Sequence, residues 1–316
     1  MDGVLIIDKP AGLTSHDVVA RVRRIVSERR VGHTGTLDPF ATGVLVALVG
    51  RATRLAQFLS GAEKEYEAVI RLGFATDTGD GTGRRLETKS FTAETQSTQR
   101  LRREDIESAL ASLRGEIEQT PPMYSAKKIA GKKLYELARR GEEIERQPVC
   151  VNVSEFAAIT HNGALLKDND DGTGDLKVRV VCSAGTYIRT LAEDFGKQLG
   201  VGAHVAELRR TRAGKFKIEN SITLERLSER TQTGSLEGIV ISPAAALSFL
   251  PALQLAVDGA RRIGQGIDLQ LEAADGSQWP NGQPVRLCNE DGQLIAVGIH
   301  DEERNTVHPQ VVIANA

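Results

Sequence analysis

The chain has 316 residues, 40% hydrophobic and 26% charged, a composition that can bury a substantial core and that sets it apart from disordered and fibrous chains. A net charge of −2 and a pI near 6.3 exclude a protein that coats nucleic acid indiscriminately. Three widely separated cysteines, Cys150, Cys182 and Cys288, form neither a metal pair nor a disulfide framework, and fit a reducing cytoplasm.

In chain order, the opening MDGVLIIDKP has no basic n-region and only a four-residue apolar run, so it does not read as a secretory signal. Thr14 or Ser15 can cap a helix in which Val18, Val19, Val22, Ile25 and Val26 recur at helical spacing. The adjacent Ser15, His16 and Asp17 suit that cap better than a catalytic triad. The longest apolar run, in VLVALVG, is too short to span a membrane. EYEAVIRLGF (65–74) alternates, with Tyr66, Ala68, Ile70, Leu72 and Phe74 on one face of a half-buried strand. DTGDGTGRR (77–85) is followed by no apolar helix and predicts a mobile hairpin rather than a dinucleotide loop. Ile106, Leu110 and Leu113 predict a helix over 103–114 that stops at Gly115. LKVRVVCSAGTYIRTLAEDFGKQLG (176–200) reads as strand, tight loop and helix, with Arg189 in the helix's first turn. SPAAALSFLP (242–251) marks a seam between a domain over 1–250 and a small β-rich module over 251–316.

Charge is unevenly spread. From residue 251 onward there are four Lys/Arg against nine Asp/Glu, leaving 36 against 33 in the first 250 residues. The cations cluster in RVRRIVSERR (21–30), KKIAGKKLYELARR (127–140) and LRRTRAGKFK (208–217). Such stripes are solvated helix faces or contacts to one phosphate-bearing partner, and 127–140 and 208–217 are the expected phosphate contacts.

The sequence contains no H-E-x-x-H, C-x-x-C, G-x-x-x-x-G-K-[ST] or G-x-S-x-G pattern, and its six histidines are dispersed, so no metal or organic cofactor is expected. What stands out is GHTGTLDPFATGVL (32–45), with one carboxylate, Asp38, among glycines and threonines and a proline directly behind it. Taken alone, this is an Asp-Pro turn. The whole motif, however, closely resembles the catalytic motif of the TruB family of pseudouridine synthases. DKPAGLTSHD (8–17), EKEYEAVIRLGFATDTGD (63–80), PPMYSAKKIAGKKLYELARRG (121–141), GTYIRTLAEDFG (185–196) and GAHVAELRRTRAG (202–214) resemble further motifs in that family's order. The C-terminal stretch is similar to a PUA-type RNA-binding module.

The resemblance implies an α+β pseudouridine synthase fold, with a mixed, mostly antiparallel sheet around a central cleft and RNA-gripping insertions near 76–103 and 121–141. It implies a cytoplasmic, monomeric enzyme that isomerises a uridine in the T loop of tRNA, with no protein partner, cofactor or membrane. Asp38 would be the nucleophile, adding at C6 of the base or at C1′ of the sugar. Arg189 would pair with it, Tyr66 would stack on the base and help remove the C5 proton, and Tyr187 and Leu208 would wall the pocket. His33 would sit against displaced nucleotides and Lys9 would support the loop. Arg54 stands where the family more often has lysine. Two other readings are a guide-RNA-dependent synthase of the Cbf5/dyskerin type and a non-catalytic RNA-binding or tRNA-folding protein.

Overall fold

The computed structural model describes residues 1–86, 101–125, 128–129, 132–134, 140, 142, 144–160, 164–234, 236–272 and 279–313. Strands β1 (Gly3–Lys9) and β3 (Thr42–Val49) are apolar at nearly every position because both faces are covered. Val4 and Ile6 of β1 enter one core, while Leu5 and Ile7 enter another. The second of these cores also holds Val18, Val19 and Val22 of helix α1 (Ser15–Ile25). That helix starts at Thr14, whose hydroxyl accepts from Asp17 N while the Asp17 carboxylate accepts from Thr14 N, closing a capping box.

A ten-stranded sheet runs β1-β3-β11-β4-β10-β8-β5. Its remaining spine consists of β4 (Lys64–Leu72), β5 (Gly115–Gln119), β8 (Val149–Ala158), β10 (Gly174–Cys182) and β11 (Ala203–Ala213). Short strands β2 (Val31–His33), β9 (Leu166–Asp168) and β12 (Phe216–Lys217) pair at its margins. A two-residue hairpin, β6 (Lys128–Ile129) and β7 (Lys132–Lys133), stands apart. Among the described residues, pairing within the ten-stranded sheet is antiparallel except between β3 and β11. Helices α3 (Arg103–Ser112) and α4 (Ile188–Gln198), which follow a single-turn α2 (Ala56–Leu59), cover one face through Ile106, Leu110, Leu191 and Phe195. Helix α5 (Leu224–Gln232) packs beside α1 through Leu224 and Leu227.

After α6 (Pro243–Ala246), a five-stranded sheet forms in the order β13-β15-β16-β17-β14. These strands are β13 (Ala252–Gln254), β14 (Leu269–Gln270), β15 (Pro284–Cys288), β16 (Leu294–Asp301) and β17 (Thr306–Val312). Its own core includes Ile263 of α7 (Val257–Gly264), while Leu294, Val297 and Val311 pack with Val4, Ile6 and Val46 of the larger sheet. Arg51 and Arg54 donate to the carbonyls of Ile313 and Val312, so the arginine at position 54 ties the last strand to the large sheet.

Two expectations are corrected. The β4 alternation ends at Leu72, and Gly73 turns the chain at φ +125°, so Phe74 leaves the strand and stacks on His204. Residues 77–85 do form a hairpin, paired at Thr76 and Arg85, but it is anchored rather than mobile, because Asp80 is buried and bridges to Val205. Residues 87–100 and most of 126–141 lie outside the described residues.

Gly43 shows what the parallel β3–β11 contact requires. It lies between Lys9 and Arg210 in register at φ +100°, and a Cβ there would overlap the Arg210 backbone. Gly43→Ala is expected to destabilise the protein by about 2–4 kcal/mol in denaturant unfolding. A loss below about 0.5 kcal/mol, the usual size for an unconstrained surface position, would show that the strands separate without cost.

Candidate active site

Asp38 lies in the loop between β2 and β3, and this loop is held by groups that reach its backbone from behind. Lys9 Nζ, on a fully buried side chain, donates to the carbonyls of Pro10, Pro39 and Ala41 at 3.0, 3.2 and 2.6 Å. Burial pushes this ammonium down to about 8, with Asp38 opposing and Arg210 adding to the shift. Ser15 Oγ accepts from Leu37 N at 2.8 Å and donates to Leu37 O at 3.1 Å. Arg210, 4% exposed on β11, donates to the carbonyls of Gly35, Thr36 and Val44 and, through Nε at 3.2 Å, to the Tyr66 hydroxyl. A bendable stretch of sequence thus becomes a fixed one, because most of its inward carbonyls have a charged or hydroxyl donor.

Arg189 stands in the first turn of α4, where the strand–loop–helix pattern placed it. It is 4% exposed, and its guanidinium gathers three segments. Nε lies 2.9 Å from Asp38 Oδ2, off the N–H direction, so this contact is an ion pair rather than an aligned hydrogen bond. Nη2 donates to Asp38 Oδ1 at 3.2 Å and to Tyr124 O at 2.7 Å, and Nη1 donates to Thr78 O at 2.9 Å. A second carboxylate, Asp80, has Oδ2 3.7 Å from Nη1. Its Oδ1 accepts from Thr82 N and from the hydroxyls of Thr78 and Thr82, which fixes the turn. Burial pushes the Asp38 carboxyl above its ordinary range and Asp80 adds to this, while Arg189 and Lys9 oppose it.

The Asp38 side chain keeps 33% of its exposure and opens into a cleft of about 330 Å³, a size suited to one small ligand or nucleotide. Tyr66, Tyr187, Arg189 and Leu208 line the same cleft. The five residues come from a loop, β4, the start of α4 and β11, and Asp38 and Arg189 are 151 positions apart in the chain. Burial pushes the Tyr66 phenol up, opposed by Arg210, so it is protonated at neutral pH. Lys9 and His33 lie outside the lining, Lys9 behind the loop and His33 edge-on to His16 at 5.6 Å. Burial, with His16 adding, pushes His33 down to about 4, so its ring is neutral at pH 7. Among the described residues, no three His, Cys, Asp or Glu side chains group as a metal site.

The structure adds Lys64, Asp80, Ser125 and Arg210 to the cleft region. Two of these were within reach of the β pattern, because Lys64 shares the inward register of Tyr66 and Arg210 shares that of Leu208. Lys64 Nζ donates to the carbonyls of Ser60 and Ala62, and burial pushes it down to about 8, with Arg210 adding and Cys182 opposing. Much of the 208–217 stripe is paired within the chain. Arg209 forks onto Asp8, Arg210 is buried, Arg212 pairs with Glu63 and Glu65, and Lys215 binds Ser248. Most of the 127–140 stripe lies outside the described residues.

Comparison with known proteins shows the family. The model of the TruB family pseudouridylate synthase N-terminal domain matches residues 23–188, and that of the tRNA pseudouridylate synthase B C-terminal domain matches 189–245. A tRNA pseudouridine synthase B of Bacillus cytotoxicus is 42% identical over 317 residues, covering 100% of this chain and 98% of the relative. One from Bacillus thuringiensis (strain Al Hakam) is 44% identical over 275 residues, covering 86% and 85%. A solved Cbf5–Nop10–Gar1 complex contains a chain with a TM-score of 0.71 at 28% identity, covering 99% of this chain and 85% of that one. The chain belongs to the TruB family of pseudouridylate synthases.

Because Asp80 and Asp38 share one guanidinium, removing the Asp80 charge should make Asp38 easier to ionise. Asp80→Asn is expected to lower the pH at which the Asp38 Cγ resonance titrates in 13C-aspartate-labelled protein, assigned with Asp38→Asn. An unchanged or raised midpoint would remove Asp80 as the neighbour that disfavours the charged form.

Proposed function

We propose that this chain isomerises a uridine in the T loop of tRNA to pseudouridine, with Asp38 as nucleophile. The observation that carries the reading is the pairing of Asp38 with the buried Arg189 at the mouth of a nucleotide-sized cleft walled by Tyr66. In the reaction the N1–C1′ bond breaks, the base turns, and C5 joins C1′. N1 gains a proton as C5 loses one, so atoms balance without oxidant, reductant or cofactor. Asp38 adds to C6 of the ring or to C1′ of the sugar and leaves again, dividing one difficult step into smaller ones. The target nucleotide must leave its stack to enter such a cleft. In this reading Tyr66 and Leu208 flank the base, and the Tyr66 hydroxyl, which accepts a hydrogen bond from Arg210, helps remove the C5 proton as a relay, passing its own proton on as it takes that one up.

In this reading, residues 1–250 form the catalytic domain and 251–316 a PUA-like RNA-binding module. The enzyme acts as a cytoplasmic monomer without metal, cofactor or protein partner. The guide-RNA-dependent alternative is less well supported, since identity to the Bacillus tRNA enzymes reaches 44% against 28% for the Cbf5 chain. A purely RNA-binding role leaves the enclosed Asp38–Arg189 pair unexplained.

Asp38→Asn keeps the shape and removes the nucleophile. Tritium release from a 5-tritiated uridine tRNA transcript should fall by about 10⁴-fold or more, with the tRNA dissociation constant within about threefold of wild type. Turnover within about tenfold of wild type would take Asp38 out of the mechanism.

Arg189→Lys separates charge from orientation. A lysine keeps one positive charge but cannot reach Asp38, Thr78 O and Tyr124 O together, so the single-turnover rate should drop by about 10²-fold or more with little change in affinity. A variant with the wild-type rate and weaker binding would instead make Arg189 a phosphate grip.

A further inference from the structure

Ser125 lines the same cleft as Asp38 and Tyr66. It is 5% exposed, and its enclosed Oγ has no hydrogen-bond partner among the described residues. Three other hydroxyls of the cleft are engaged within the chain. Ser60 donates to Ala56 O, Ser183 accepts from Asn152 N, and Thr186 donates to Ser183 O. A buried hydroxyl left without a partner weakens the fold that contains it, and such a group in a native cleft calls for a use.

We propose that Ser125 is a substrate-binding residue whose hydroxyl hydrogen-bonds the polar edge of the uracil ring when the flipped nucleotide enters. This rests on the reading of the cleft as a uridine site. A uracil removed from its stack brings two carbonyl acceptors and one N3–H donor, and a hydroxyl can answer either kind. Much of the rest of the cleft cannot. Tyr66, Tyr187, Ile188 and Leu208 offer mainly ring faces and apolar surface. The Arg189 donors are directed at Asp38, Thr78 and Tyr124, and the Lys64 ammonium at Ser60 and Ala62. Position follows from the neighbouring peptide. The Tyr124 carbonyl accepts from Arg189 Nη2 at 2.7 Å, and the same nitrogen donates to Asp38, so one guanidinium fixes both nucleophile and hydroxyl.

The consequence is a pair of effects of opposite sign. Removing the hydroxyl relieves the free protein of an unpaired polar group, yet deprives the bound base of a partner. The test measures melting temperature without RNA, the tRNA dissociation constant, and the single-turnover rate for the wild type, Ser125→Ala and Ser125→Thr. Ser125→Ala should melt at or above the wild type, bind tRNA within about threefold, and react at least about tenfold more slowly, while Ser125→Thr keeps most of the rate. A wild-type rate for Ser125→Ala overturns the proposal. So does a slower rate accompanied by a lower melting temperature, or an equal loss in Ser125→Thr. If the wild type itself fails to convert tRNA, the uridine reading fails, and that result is distinct from any of these.

Discussion

A carboxylate enclosed in a cleft leaves bulk water, and leaving water favours its protonated form. The contact between Asp38 and Arg189 answers this constraint. Arg189 is itself nearly fully buried, so its charge also needs neutralising, and a lone buried cation of this kind would be strongly unfavourable. Asp38, Asp80 and the carbonyls of Thr78 and Tyr124 surround it on every edge of the fork. Burial, with Asp80 adding, raises the affinity of Asp38 for a proton, and Arg189 opposes both. That is a compromise between staying charged and staying reactive, since a carboxylate held too tightly by a cation is a poor nucleophile.

The backbone behind Asp38 obeys a related constraint. A loop folded into the interior brings carbonyls that cannot reach water, and each must find a donor. Lys9, Arg210 and Ser15 supply these from β1, β11 and α1, elements whose own positions are set by the apolar cores on both sides of β1 and β3. Burial lowers the proton affinity of Lys9 and Lys64, and the Arg210 charge adds to this in both. Packing, hydrogen bonding and charge therefore point to a single loop conformation, which is how a catalytic group is held ready before substrate arrives.

Much of this was legible in the amino-acid sequence because it rests on local rules. The α1 capping box, the β4 alternation through Leu72 and the placement of Arg189 in a helix's first turn all follow from periodicity and cap chemistry. What local rules missed depends on tertiary burial. A lysine at an inward strand position reads as an error until Ser60 and Ala62 carbonyls are found around it. The stripe 208–217 reads as unpaired charge until its partners Asp8, Glu63 and Glu65, about 150 to 200 positions away, are in view. DTGDGTG shows only turn chemistry, and nothing in it signals that Asp80 folds inward toward Arg189.

The same guanidinium also explains why residues outside the catalytic motif belong to the site. Its edges meet the Asp38 loop, the turn at 78–80 and the Tyr124–Ser125 peptide, and the last two open the segments expected to grip RNA. Each segment satisfies part of one buried charge, so none can be displaced without leaving a donor or a carboxylate unmatched in an enclosed place. Hydrogen bonds to charged groups carry more energy than neutral ones, and the cost of losing one inside the protein exceeds the gain of forming it in water. The geometry of Asp38 is therefore tied to the seating of both neighbouring segments, and the charge state of its carboxylate is a property of all three segments together rather than of the loop alone.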